Sequence, residues 1–247
     1  MSPSPALAAL RDRIHALERP AARAMGAHGF GIAAIDRHLP EGGLALGALH
    51  DIAGGGVDAV PAAAATLFTA GLLARLGQRP VVWCTAAQDL FAPGLACAGL
   101  RPSRVLHTRA PDEKTVLLVM EEALRHAGLA AVVGELSKLP MVASRRLALA
   151  AEKSGVMAIA LRRKREGKPA DDGLSAAATR WCVTPVPSAP LAGPMALAGN
   201  ALGRARWHVA LTRCRGAEAA EWIMEACDAQ GRLSLPAALA DRQEAAA

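Results

Sequence analysis

Tyrosine is absent from the chain, phenylalanine occurs three times, and only five of the 28 basic residues are lysine. With so few aromatics the interior has to be filled by alanine, leucine and valine, which suits alanine-rich helices over a Val/Leu/Ile sheet. No apolar run reaches the length of a membrane span without a charge interrupting it, so no membrane association is expected. The opening stretch MSPSPALAALRDRIHALERP carries Arg11, Asp12, Arg13 and Glu18 where a secretion signal needs an apolar core, which predicts a cytoplasmic chain. The cysteines (Cys84, Cys97, Cys182, Cys214, Cys227) are odd in number, scattered and never spaced C-x-x-C. They read as free thiols of a reducing compartment, not as a metal or disulfide framework. The net charge of +6 permits contacts with nucleic acid or acidic proteins and requires neither.

The 247 residues are enough for one large α/β domain with a terminal extension, or for two small domains. Residues 4–19 place Leu7, Leu10, Ile14 and Leu17 at helical spacing with charges between them, and Pro20 ends that amphipathic helix. A first core strand is expected over 46–52, then a glycine turn at Gly54, Gly55 and Gly56, then an apolar helix from about Pro61 to Leu76. RPVVWCT (79–85), SRVLHTR, LAAVVGEL (129–136) and VMAIALRR (156–163) read as further strands. DLFAPGLACAGL reads as a short helix broken by Pro93 and Gly94. DEKTVLLVMEEALRHAG (112–128) and LPMVASRRLALAAEKSG (139–155) read as full helices, the first with acids in its opening turn. This alternation predicts right-handed βαβ units and a mostly parallel sheet flanked by helices.

Past residue 163 the texture changes. RRKREGKPADDGLSAA reads as a loop, ATRWCVTPVPSAP and ARWHVALTRCR as antiparallel edge strands, and Ala217–Cys227 as a short helix before the tail. The divisions drawn are an N-terminal helix and linker (1–24), a core (25–190), and a C-terminal strand, helix and tail (191–247) that is the candidate partner-binding extension.

The glycine turn stands where a nucleotide-binding protein puts its phosphate loop. Such a loop reads G-x-x-x-x-G-K-[ST], with lysine on the β/γ oxygens and a hydroxyl on Mg²⁺. Here no register supplies either, because the first lysine of the chain is Lys114. Pro61 removes an N–H where an anion wants donors, and Asp58, the expected N-cap, puts a carboxylate where the phosphate would lie. At the end of AAVVGEL the metal-binding acid is displaced, Gly134 being followed by Glu135. Ala86, Ala87 and Gln88 follow the VVWCT strand where a water-activating glutamate would stand. These substitutions predict a pseudo-ATPase with no catalytic residues, no metal and no cofactor.

The order of strand, glycine loop, helix and strand, then AAVVGEL, resembles the ATPase core of RecA without its catalytic parts. GIAAIDRHLPEGGLALGALHDI, APGLACAGL and SAAATRWCVTPVPSAP are similar to the ImuA family of damage-inducible mutagenesis proteins, which is RecA-like and related to the SulA-type division inhibitors. The resemblance spans roughly residues 5–215. It implies a RecA-like α/β fold and a non-catalytic accessory role in a bacterial SOS-induced translesion complex. The implied partners are a Y-family-like, catalytically inactive polymerase homologue (ImuB) and an error-prone replicative-type polymerase, with RecA as a further candidate. A SulA-like inhibitor of the tubulin-like division protein and a divergent ATPase remain the alternatives.

In the RecA fold, the loop after this core strand faces single-stranded DNA. Arg162, Arg163, Lys164, Arg165 and Lys168 are therefore candidate phosphate contacts, although no aromatic lies within 162–180 to stack bases. Arg145 and Arg146 fall mid-helix and read as a solvated face. Trp83, Trp181 and Trp207 sit in apolar strand patterns and read as core, whereas Trp222, on the expected C-terminal helix, is a candidate partner anchor.

Overall fold

The computed structural model describes residues 25–56, 59–163, 173–189 and 203–236. The expected amphipathic helix over 4–19, Asp58, Lys164, Arg165, Lys168 and the tail lie outside those residues. A small antiparallel pair, β1 (Ala27–His28) and β2 (Leu44–Ala45), encloses α1 (Ala33–Asp36) and leads into one eight-stranded sheet. Its strands are β3 (Leu49–Gly54), β4 (Val81–Thr85), β5 (Val105–Arg109), β6 (Ala131–Leu136), β7 (Met157–Arg162), β8 (Thr179–Val186), β9 (Arg206–Cys214) and β10 (Ala220–Glu225). The helices between them are α2 (Ala59–Ala74), α3 (Ala92–Cys97), α4 (Glu113–Ala123) and α5 (Met141–Ser154).

In space the strands run β10-β9-β8-β3-β7-β6-β4-β5. The pairs from β8 to β5 are parallel, while β8, β9 and β10 pair antiparallel. This is the RecA-like arrangement expected from the sequence, with its antiparallel strands at the C-terminal side. The inner parallel strands β3, β4, β6 and β7 are buried on both faces because helices cover both. Ile52, Trp83, Val133, Ile159 and Trp181 pack with Phe30 and Phe68 on the α2 side. Val82, Val132, Ala158 and Ala160 pack with Val116, Met120 and Leu147 of α4 and α5 on the other. Trp83, Trp181 and Trp207 are core residues, as their strand patterns required.

Local signals set several boundaries. Asp112 caps α4, its carboxylate accepting from Thr115 N at 2.7 Å. Gly155, at φ 77°, closes α5 in the left-handed conformation that favours glycine. Pro93 stands in the first turn of α3 and starts that helix instead of breaking it. The first core strand is shifted from the expected 46–52 to Leu49–Gly54, since β2 and the turn at Gly47 take up the residues before it.

The helix expected over Ala217–Cys227 is corrected: Ala220–Glu225 is a strand, paired with β9 from Ala220 opposite Leu211 to Glu225 opposite Arg206. Its alanine and glutamate favour a helix, yet Trp222 and Met224 alternate with Glu221, Ile223 and Glu225. Pairing on the sheet edge prevails over local propensity there.

Two buried polar groups bind distant parts together. The Arg104 guanidinium closes the end of α2, donating to the carbonyls of Leu73 (3.3 Å), Ala74 (3.1 Å), Leu76 (3.3 Å) and Arg79 (3.1 Å). The last carbonyls of a helix lack intrahelical donors, and a cation there also meets the negative end of the helix dipole. His50, wholly buried in β3, uses both ring nitrogens. Nε2–H donates to the Ala45 carbonyl at 2.9 Å, so Nδ1 is the acceptor, taking the Thr179 hydroxyl proton at 2.8 Å. Trp181 Nε1–H in turn donates to that hydroxyl at 2.8 Å.

Two outcomes are expected. Replacing Arg104 by Ala leaves the α2 end uncapped and is expected to lower unfolding free energy in urea by about 3 kcal/mol, with Lys restoring only part because it lacks the planar fork. Burial pushes His50 down from 6.5 to about 4, so the unfolded chain takes up its proton first as pH falls. That stability is present above pH 6.5 and is lost as pH drops through 4. Between pH 7.5 and 5 the wild type should lose on the order of 2 kcal/mol more than His50→Gln; parallel losses would contradict the assignment.

Candidate functional site

The C-terminal ends of β3, β4, β6 and β7 and the glycine turn meet at one edge of the sheet, where a parallel α/β fold presents its ligand site. The turn is closed on its own chain. Gly55 N–H donates to the Val183 carbonyl of β8 at 2.9 Å. A Cβ on Gly54 would come within 2.6 Å of the Pro61 carbonyl, one on Gly56 within 2.9 Å of the Pro61 ring, and one on Gly55 would overlap the Thr184 hydroxyl. The glycines are therefore required by the close approach of β8 and α2. Pro61 is the third residue of α2, in its first turn as expected.

Gly134 and Glu135, neighbours in β6, face opposite sides of the sheet. Gly134 faces α4, where any side chain would collide with Met120. An acid at that position would be driven into the apolar packing of that helix. Glu135 faces the other side and is buried, with both oxygens engaged. Oε1 accepts Trp83 Nε1–H at 2.8 Å, and Oε2 accepts the Thr85 hydroxyl at 3.3 Å and Arg163 Nη1 at 2.8 Å. The same Nη1 reaches Asp89 Oδ1 at 2.7 Å, so Arg163 bridges the ends of β4, β6 and β7. Burial works against the charge of Arg163, and the carboxylates of Glu135 and Asp89 outweigh it and raise its pKa.

Arg162 is corrected as a nucleic-acid contact. Its side chain points into the α5 side of the sheet, with Nε 2.6 Å from Asp51 Oδ1, and both groups are buried. Arg180 of β8 holds the second oxygen, its Nε 3.0 Å from Asp51 Oδ2. Arg180 also donates to the Gly173 carbonyl at 2.7 Å and the Ser175 hydroxyl at 3.2 Å. The run of candidate phosphate contacts thus divides into a buried residue, Arg162, a bridging residue, Arg163, and three, Lys164, Arg165 and Lys168, that lie outside the described residues. Sequence reasoning missed Asp51 and Arg180 altogether; the only signal was an aspartate inside an apolar strand.

Trp222 is also repositioned. It is half-buried on β10, 6.2 Å from Trp181 and edge-on to His38 at 5.5 Å, so it faces the core rather than a helix surface. Arg145 and Arg146 lie on the solvated face of α5, and Arg146 reaches Glu121 of α4 at 2.5 Å. Among the described residues no group of three or more His, Cys, Asp or Glu is arranged to hold a metal ion, and no helix is long and apolar enough to cross a membrane.

No profile of a known protein family matches the chain. Among solved structures, the crystal structure of the RadB recombinase superposes with a TM-score of 0.58 at 14% identity, covering 85% of this chain and 99% of that one. At that identity the likeness concerns the fold alone. Among curated proteins, Protein ImuA of Caulobacter vibrioides, in strains NA1000 and ATCC 19089, is 40% identical over 209 residues. The match covers 81% of this chain and 83% of that protein, and with the RecA-like sheet already in place it establishes that the chain belongs to the ImuA family.

Proposed function

We infer that the chain is a non-catalytic accessory protein of an SOS-induced mutagenic translesion complex. It acts through contacts with a Y-family-like, catalytically inactive polymerase homologue and with an error-prone polymerase. Its family is one of damage-inducible mutagenesis proteins. The observation that carries the non-catalytic reading is Glu135. Nucleotide hydrolysis in this fold needs a held metal and a positioned water, and the carboxylate best placed to serve either accepts from Trp83, Thr85 and Arg163 instead.

A magnesium nucleotide does not fit the residues present. The turn lacks a lysine and a hydroxyl at the required positions, Gly55 N–H is bonded to β8, and the space beside Gly54 and Gly56 is filled by Pro61. Introducing an anion would require breaking these contacts for no compensating cation. What the edge supplies is a fixed shape.

Two measurements test this reading. The purified chain should turn over ATP no faster than a protein-free blank; hydrolysis that Glu135→Gln abolishes would overturn the non-catalytic assignment. Mixed with the purified Y-family-like homologue of its own organism, it should co-elute in size-exclusion chromatography. Co-elution with the tubulin-like division protein and not with the polymerase homologue would decide for a division inhibitor.

A further inference from the structure

One face of α5 packs on the sheet through Ser144, Leu147 and Ala151. A helix of this kind normally turns charge toward water on its other face. On α5 two large apolar residues stand there, Val142 at 71% and Leu149 at 65% exposure. Being seven residues apart, they fall within about 20° of each other around the helix and form one row. Arg145 and Glu152, also exposed and also seven apart, lie beside Leu149 on one side of that row, four residues before it and three after. Ion pairs on this flank join Arg146 to Glu121 and Arg125 to Glu121 and Glu122, whereas Arg145 and Glu152 pair with no charged group among the described residues.

Arg146 marks the opposite side of the row, because it reaches across to α4. Arg145 and Glu152 are therefore turned away from α4, toward the segment entering β8, where Ala176 N–H donates to Ser144 Oγ at 2.9 Å. From Arg145 to Glu152 the row carries a cation, an apolar side chain and an anion. Reversed about Leu149, this order complements itself. In an antiparallel pair of α5 helices related by a two-fold axis, Leu149 meets its own copy. Each Arg145 then comes level with the other chain's Glu152, on the same side of the contact. A register one turn earlier would set Arg145 against Arg146, and one turn later would run past the helix end at Ser154. On the α4 side Lys153 comes level with Arg146, whose charge is already held by Glu121.

We propose that the outward row of α5, Val142, Arg145, Leu149 and Glu152, is a two-fold docking surface on which a second copy of this chain seats its own α5 antiparallel. The inference goes beyond the proposed function and does not depend on it. A partner of one charge sign would leave Arg145 or Glu152 facing its like, while a second copy answers both. Leu149 and Val142 supply the apolar area, and the reciprocal pairs fix register more than strength, since exposed ion pairs add little. The Arg125–Glu122 and Arg146–Glu121 pairs stand at the margin of the row, still in water. A single helix pair sits at the small end of specific interfaces, so a dissociation constant on the order of 10 µM is expected.

The test is sedimentation equilibrium of the full chain at loading concentrations up to about 100 µM. It compares wild type with Leu149→Glu, Arg145→Glu, Glu152→Arg and the exchange Arg145→Glu/Glu152→Arg. All three positions are exposed on a helix surface, and matching circular dichroism melts check that the fold is retained. The wild type is expected to dimerise. Each single substitution should weaken the dimer at least about tenfold, the two charge reversals by setting like charges together twice. The exchange should bring the dissociation constant back to within about threefold of wild type. A monomeric wild type, or single variants that dimerise as wild type does, would overturn the docking surface. An exchange no better than either single variant would overturn the antiparallel register, and the proposal with it. If a chain lacking residues 1–24 dimerises through α5 where the full chain does not, the row belongs to that segment and the proposal falls.

Discussion

Asp51 lies in the centre of the sheet without exposure to water, and most of what surrounds it follows from that placement. An isolated carboxylate there would lose several kcal/mol of hydration. The strand order puts β7 on one side of β3 and β8 on the other, so an arginine arrives from each neighbour. Arg180 stands directly opposite Asp51, and Arg162 stands two residues beyond Ala160, the partner on β7, and hence on the same face. The two guanidinium groups join the central strands, and Arg180 also holds Gly173 and Ser175 as the chain returns to β8. Removing either arginine would leave a buried charge short of a partner, the costly way to break an ion pair.

A second set of charges, on the opposite face, closes the edge of the sheet. Glu135 and Asp89 share Arg163, while Trp83 and Thr85 complete the coordination of Glu135. In a catalytic relative of this fold such carboxylates stay available for a metal or water. Here an arginine from the next strand takes that place, and the glycine turn has closed on Pro61 and Thr184. At the turn the direction a Cβ would take on Gly54 and Gly56 is occupied by Pro61, and beside it both oxygens of Glu135 are engaged.

The parallel core was legible because its strands are continuous apolar runs and its helices carry caps and periodic faces. The tryptophans of the core were legible for the same reason. Less could be read where the deciding partner is remote in sequence. Arg162 looks like part of a basic loop when seen among Arg163, Lys164 and Arg165; its partner, Asp51, is 111 residues away. The α2 cap by Arg104 depends on a turn bringing β5 back to the helix end. The strand β10 reads as a helix locally because its alanine and glutamates suit one, while pairing with β9 is a tertiary fact that no local window contains. That the glycine turn is followed by neither a lysine nor a hydroxyl in the phosphate-loop register is a fact of the sequence itself, visible without any structure.

The flanks of the sheet also differ in what a partner would displace. On α4 and α5, Arg125 pairs with Glu122 at 3.2 Å and Arg146 with Glu121 at 2.5 Å, all in contact with water. Covering these would remove hydration from both signs of charge and return little, as surface ion pairs are worth about 0–1 kcal/mol. On α2 and α3 there is no charge to desolvate, so covering them removes apolar area at about 25 cal/mol per Å² without that penalty. The internal charge clusters matter to this contrast. They join β3, β7, β8 and the ends of β4 and β6, the strands under the α2 flank, and a surface already ordered would lose less conformational freedom on any association. Glu135, Asp89 and Arg163 thus tie strand ends together beside a flank whose own helices, α2 and α3, carry no charge.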